Sequence, residues 1–347
     1  MAPVAILRPT QDGAAMLRAE AGAGGLTNVQ LVRDGTPCLR PDGAPTDAFG
    51  RIAAVLTNEL SVFAVTMVLP PNAATLARVT TDVPEPGTVT VRTIEETVEK
   101  AREAITRPGQ VILSCRPYAY TADGVTTAEA PLRERPQTLS VNTASLSTAL
   151  AAVSAYDAAL RPLTLSGVVT PSEAVGAALL PEGDGAAVLV GRHGTLAVRQ
   201  SGGVVTAQAY VPVGRRHLEG DLAQARALEP AEAVRRTDAV LSGTSSDDTA
   251  IAAIDARLEE LSGLLVAAAE RAGLDLEGAV LAGLPHRAAS RIAGAVPVRT
   301  GLPSALSAEP DLAGAALLAL GLRGSLDRAE LPNRRKTSPL DWLIRRF

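Results

Sequence analysis

The sequence predicts an α/β protein of two domains, each opening on a hairpin of β-strands. Short apolar runs at residues 3–7 and 14–19 flank the turn Arg8-Pro9-Thr10-Gln11-Asp12-Gly13, a strand–turn–strand opening. A second hairpin lies just past the middle. Its first arm, residues 185–190, is β-branched and apolar, its turn is Arg192-His193-Gly194, and Ser201-Gly202-Gly203 leads into a further strand at 204–213. Helical and strand patterns alternate after each hairpin, the signature of an α/β layer. At 347 residues the chain is long enough for two substantial cores.

In order along the chain, residues 28–32 are a third short strand, and Asp34-Gly35 and Asp42-Gly43 mark turns. Residues 47–60 have helical spacing (Phe49, Ile52, Val55, Leu56, Leu60), with Asp47 as the expected N-cap. Residues 62–69 form a buried-type strand stopped by Pro70-Pro71. Prolines and acids at 82–87 read as a linker into a compact insert. The insert holds a strand at 88–91, a helix at 93–105 with a Thr93/Glu96 capping box, and strand runs at 111–114 and 116–120 before the Asp123-Gly124 turn. A strand at 139–141, an Ala-rich helix at 146–160, a strand at 165–170 and a short helix at 172–180 lead to the central hairpin. Beyond it come helices at 216–227 and 231–241, a polar connector, and a long helix at 249–272. Its apolar stripe is Ile251, Ile254, Leu258, Leu261, Leu265 and Val266. A strand at 279–281, a helix near 287–293, a strand at 296–299 and an apolar helix at 312–322 complete the globular part.

Composition narrows the function classes. Hydrophobic residues are 46% but aromatics only 2%, so Ala, Val and Leu do the packing. The net charge of −4 argues against nucleic acid as a partner. Cys38 and Cys115 have no metal-ligand spacing and read as reduced thiols. No secretory signal or membrane span is evident, so a cytoplasmic protein is expected. His193, His217 and His286 lack a carboxylate or cysteine at ligand spacing and read as polar loop residues, with no metal site and no catalytic residue.

The tail differs in character. Arg334, Arg335 and Lys336 form a basic cluster in the linker 326–337, and residues 338–347 read as an amphipathic helix with Ser338 as N-cap and Pro339 in the first turn. Leu340, Leu343, Ile344 and Phe347 share one face, and Asp341, Arg345 and Arg346 the other, with Trp342 toward the polar side. Ten residues hold no helix alone in water. A membrane surface rich in anionic lipid would bury the apolar face and attract the basic residues. Docking on protein is the alternative.

Two α/β halves opening on hairpins, with an insert in the first, resemble the actin-like (ribonuclease-H-like) ATPase superfamily, and within it the bacterial cell-division protein family FtsA. The echoes run from Ile94-Glu95 to Ala101-Arg102 and Tyr120 with Asp123-Gly124 in the insert, through Pro171-Ser172-Glu173-Ala174 before the hairpin, to Pro212-Val213-Gly214, Asp221-Leu222-Ala223 and Arg257-Leu258-Glu259-Glu260-Leu261 after it. The tail is similar to the family's membrane-targeting helix. The resemblance implies a first subdomain at 1–82 completed by 138–165, an FtsA-type insert at 83–137, and a second domain at 166–325 with a shortened small subdomain near 218–248.

It also implies a nucleotide cleft, and there the chain departs from the family. Where the first hairpin should carry Asp-x-Gly-Thr, the same register puts Leu7, Pro9 and Thr10; where the second should carry Asp and glycines, it puts Val188, Val190, Gly191 and Arg192. The adenosine loop is Gly283-Leu284-Pro285. Mg²⁺ needs oxygen ligands, and backbone N–H groups approach phosphate only past small residues. Thr10, Gly191, Arg192, His193, Thr195, Gly214 and Gly283 therefore mark a vestigial cleft, and a pseudo-ATPase without ATP or Mg²⁺ is expected. Weak phosphate binding through Arg192, Arg215 and Arg216 is the alternative.

The function implied is an adaptor on the inner face of the cell membrane that tethers FtsZ or another assembly and self-associates into filaments. The short connector after Leu241 leaves no room for the strands that flank the family's FtsZ site. A PilM- or GspL-like platform protein of a pilus or secretion system is the alternative with the same fold.

Overall fold

The computed structural model describes residues 3–23, 25–292, 295–297, 302, 306–307 and 309–322. The tail read as a membrane-targeting helix, with its basic linker, lies outside the described residues.

Two five-stranded sheets share one topology. In the first, strands β1 (Val4–Thr10), β2 (Gly13–Gly22) and β3 (Gly25–Asp34) form an antiparallel meander, and β4 (Ala64–Val68) and β9 (Thr164–Val169) add on in parallel, giving the order β3-β2-β1-β4-β9. In the second, β10 (Gly185–Val190), β11 (Thr195–Ser201) and β12 (Val204–Val211) repeat the meander, and β13 (Ala279–Ala282) and β14 (Ala295–Pro297) repeat the parallel pair, in the order β12-β11-β10-β13-β14. Leu7 faces Met16 in the first hairpin, and Val188 faces Ala197 in the second.

Each sheet is covered on both faces, which is why the leading strands carry the apolar runs 4–7 and 186–190. On the outer face of the first sheet lie α1 (Ala48–Asn58) and α3 (Leu150–Ala159); Phe49 and Tyr156 stack at 6.0 Å between ring centroids. On its inner face lies α9 (Pro310–Ala319). The second sheet is covered by α4 (Pro171–Leu179) on one side and by α7 (Asp248–Ala272) on the other. Helices α4 and α9 pack on each other and join the domains. Gly314 of α9 sits directly on the backbone of α4, where any Cβ would overlap the Ala174 carbonyl oxygen.

The third sheet is wider than the insert read at 83–137. Its antiparallel order is β5-β8-β6-β7, from β5 (Ala74–Val83), β6 (Gln110–Ala122), β7 (Val125–Thr127) and β8 (Leu139–Ala149). Strand β8 pairs along its whole length with β6 and over residues 139–148 with β5, so residues 146–149, read as the start of a helix, are strand. Residues 88–91 form no strand. Thr90 is the N-cap of α2 (Val91–Ile105): its hydroxyl accepts the Thr93 N–H at 3.2 Å, so the cap lies one turn earlier than the Thr93/Glu96 pair. Glu96 instead pairs with Arg92 at 2.7 Å. The Asp123-Gly124 turn forms, with both residues at positive φ. Asp47 makes no side-chain cap to α1.

Among the described residues no strand lies between β12 and α7. Helices α5 (Arg215–Arg226) and α6 (Pro230–Ser242) fill that place, and Leu218, Leu222, Val240 and Leu241 pack on Ile254 and Leu258 of α7. No described helix is long and apolar enough to cross a membrane.

Candidate functional site: the cleft between the two hairpin turns

A cleft of about 1710 Å³ separates the domains. Its floor is formed by the β1–β2 and β10–β11 turns, which occupy the same place in the two sheets and point at each other. Thr10, Gly191, Arg192, His193 and Gly283 line it. Thr195 and Gly214 stand behind the second turn. Thr195 is fully buried and donates its hydroxyl to the Val213 carbonyl at 2.8 Å.

The two strand positions read as replacing acids are buried aliphatic side chains. Leu7 belongs to the core over the outer face of the first sheet, and Val188 to the core under α7, both fully shielded from solvent. Neither offers an oxygen to a cation. Pro9 at the end of β1 has no N–H to present. Mg-ATP is the group that a cleft of this kind implies, and these residues do not fit it.

A side chain that sequence spacing did not single out sits at the centre of the cleft. Asp12, at the tip of the first turn, accepts from the Thr10 hydroxyl at 2.9 Å and meets His193 Nε2 at 2.7 Å, Arg192 Nε at 3.4 Å and Arg216 at 3.8 Å. His193, read as a loop histidine with no carboxylate at ligand spacing, thus has one from the other domain, far off along the chain. On its far side Arg192 reaches Glu219 of α5 at 3.5 Å. Burial opposes the charged form of Asp12, but His193, Thr10 and Arg192 together outweigh it and hold the carboxyl below its usual range. Burial, with Arg192 and Arg216 adding to it, lowers the value of His193 against the pull of Asp12. His193 is thus neutral at pH 7 and donates from Nε2.

The second turn is set by backbone contacts. Gly191 N–H donates to the Gly194 carbonyl at 2.9 Å, while the first N–H groups of α5, at Arg215 and Arg216, donate to the Gly191 and Arg192 carbonyls at 3.0 and 2.9 Å. Those N–H groups are the ones a helix start would otherwise offer to an anion. Gly214 permits the seating, since a Cβ there would overlap the Gly191 carbonyl oxygen. Gly283 has φ +92°, and a Cβ on it would strike the Val190 carbonyl. Arg215 pairs with Asp238 of α6.

The first turn is braced from below. The buried Cys38 thiol donates to the Gly13 and Thr10 carbonyls at 2.6 and 3.1 Å. Burial pushes this thiol up to about 11. Arg8 turns the other way and grips Asp311 through a guanidinium nitrogen at 2.8 and 2.9 Å, and Glu309 at 2.6 Å, at the start of α9. Among the described residues no cluster of three or more His, Cys, Asp or Glu side chains is arranged for a metal.

No protein-family model and no curated protein sequence matches the chain. Among solved structures it is similar to one described as the PilM-PilN type IV pilus biogenesis complex, with a TM-score of 0.61 and 20% identity over 92% of this chain and 98% of that one. It is also similar to the ethanolamine utilization protein EutJ from Carboxydothermus hydrogenoformans, with a TM-score of 0.52 and 13% identity over 92% and 90%. The fold is that of the actin-like ATPases. Likeness at these identities is likeness of fold, and it does not single out FtsA.

Proposed function

We propose that this chain is an actin-like assembly platform that has given up nucleotide chemistry and works by holding partner proteins on the inner face of a membrane. One observation carries the proposal: where the fold would present acids and open loops to Mg-ATP, the chain has buried Leu7 and Val188 and two turns that bind each other. The likeness to a PilM-PilN complex over nearly the full length of both chains supports a platform role in a pilus-type assembly.

A second reading, an FtsA-like adaptor that tethers FtsZ and self-associates, is favoured by the sequence of residues 334–347, basic and then amphipathic. Calorimetry of the full chain with Mg-ATP tests the shared part of both readings, with no binding expected; micromolar affinity would overturn it. Pull-downs with a PilN-like partner and with the FtsZ tail peptide separate the two, the first expected to bind. Liposome pelleting checks the membrane role. The full chain is expected to sediment with anionic vesicles and a version ending at Leu331 to stay in solution; equal sedimentation would remove the tether.

A further inference from the structure

The geometry points to a built-in clamp: Asp12 of the first domain, gripped by Arg192, His193 and Arg216 of the second, ties the two domains together at the floor of the cleft with the chain's own side chains where the fold would use a ligand. The inference rests on the reading of the cleft as one that does not use nucleotide.

The charges balance within the cluster. Asp12 and Glu219 are the acids, Arg192 and Arg216 the permanent cations, and His193 joins as a neutral donor. An acid at the first turn would repel a phosphate chain, and the arginines that would attract one already have carboxylate partners.

Each of these contacts is half-exposed and individually weak. Their strength as a clamp comes from both sides being set in advance. On one side the Thr10 hydroxyl fixes the Asp12 carboxylate, and the Cys38 thiol fixes the Thr10 and Gly13 carbonyls below it. On the other, the Gly191–Gly194 turn is bolted to the start of α5 by the Arg215 and Arg216 N–H groups, so Arg192 and His193 have little freedom to lose when they meet Asp12. Contacts between pre-ordered groups keep more of their gross energy.

Cys38 offers a probe of opening, because it is a free, buried thiol under the first-domain half of the clamp. The experiment uses the full chain and follows Cys38 labelling by a thiol reagent, resolved from Cys115 by peptide mass spectrometry. The variant Arg192→Ala/His193→Ala changes only the second domain. Cys38 of the first domain is expected to label about tenfold faster in it, with a larger radius of gyration by small-angle scattering. Unchanged labelling and radius would overturn the clamp.

Salt supplies a second measurement that needs no folded variant. Raising it from about 0.1 M to about 1 M shortens the screening length from about 10 Å to about 3 Å. Labelling of the wild type is expected to accelerate, and a salt-independent rate would overturn the clamp. Failure of the underlying reading shows up separately, as Mg-ATP binding by the wild type in calorimetry.

Discussion

In the first domain the turn after the leading strand presents a carboxylate, Asp12; in the second, the turn at the same place in the same strand order presents Arg192 and His193. The sheets beneath them repeat strand for strand, yet what each domain adds differs. The first inserts a four-stranded sheet between β4 and β9, and the second inserts two helices between β12 and α7. The lesson is that topology is held by apolar pairing inside the sheets, while the cleft's chemistry depends on a few turn residues that the sheets merely position. Two turns of one sign would repel; turns of opposite sign complete each other.

The largest expected effect tests how far Leu7 and Val188 belong to the two cores. Leu7→Asp and Val188→Asp each place a carboxylate in a fully buried apolar site, at a cost on the order of 4 kcal/mol or more. Denaturant unfolding is expected to show a similar loss in both domains, with no gain of ATP hydrolysis. A well-folded Leu7→Asp protein would show that the site still has access to the cleft.

Arg8 sharpens the contrast next. It ties β1 to the start of α9, and Leu189, one residue beyond Val188 as Arg8 is one beyond Leu7, carries no charge. Arg8→Ala leaves Asp311 without its cation beside Glu309, which keeps Arg33 at 3.1 Å, and is expected to cost about 2–3 kcal/mol in the same assay. Leu189→Met, a change of similar volume, should cost under about 1.5 kcal/mol.

Gly214→Ala attacks the second turn alone. Its Cβ would displace the Gly191 carbonyl from the start of α5, for about 1–3 kcal/mol. Hydrogen exchange should rise at the amides of Arg215 and Arg216 and stay unchanged in β2 and β3.

The smallest effect concerns acid. The folded value of His193 lies below its ordinary one, so its contribution to stability is complete above about pH 6.5 and is lost as pH falls through the lower, folded value. Asp12 is also lowered; its contribution is complete above about pH 4 and is lost only in stronger acid. Thermal unfolding from pH 7 to pH 5 should therefore fall more steeply in the wild type than in His193→Gln. Parallel slopes would show that burial does not hold His193 below its ordinary value.

Much of the fold was legible from periodicity, and the misses have physical causes. Residues 74–83 give no strand signal in the sequence because β5 alternates between exposed and half-buried positions and lacks a continuous apolar run. Residues 146–149 run straight into the Ala-rich helix α3 and share its apolar spacing; β5 and β6 on either side of them supply the ladder that makes them strand. Thr90 and Thr93 are both plausible caps by type, and only the backbone path decides that Thr90 leads. At the site, Arg192, His193 and Gly283 stood out as departures from a motif. Asp12 did not, because an Asp-Gly pair in a turn is ordinary chemistry until its partner is known.

By itself, then, the sequence determined the two repeated hairpins and the apolar character of Leu7 and Val188, because strand–turn–strand patterning is a local signal that each hairpin displays alone. Only the tertiary structure decided that Asp12 meets Arg192 and His193. That contact joins residues far apart in the chain, brought together when α4 and α9 pack the two sheets face to face, and no spacing along the sequence encodes it.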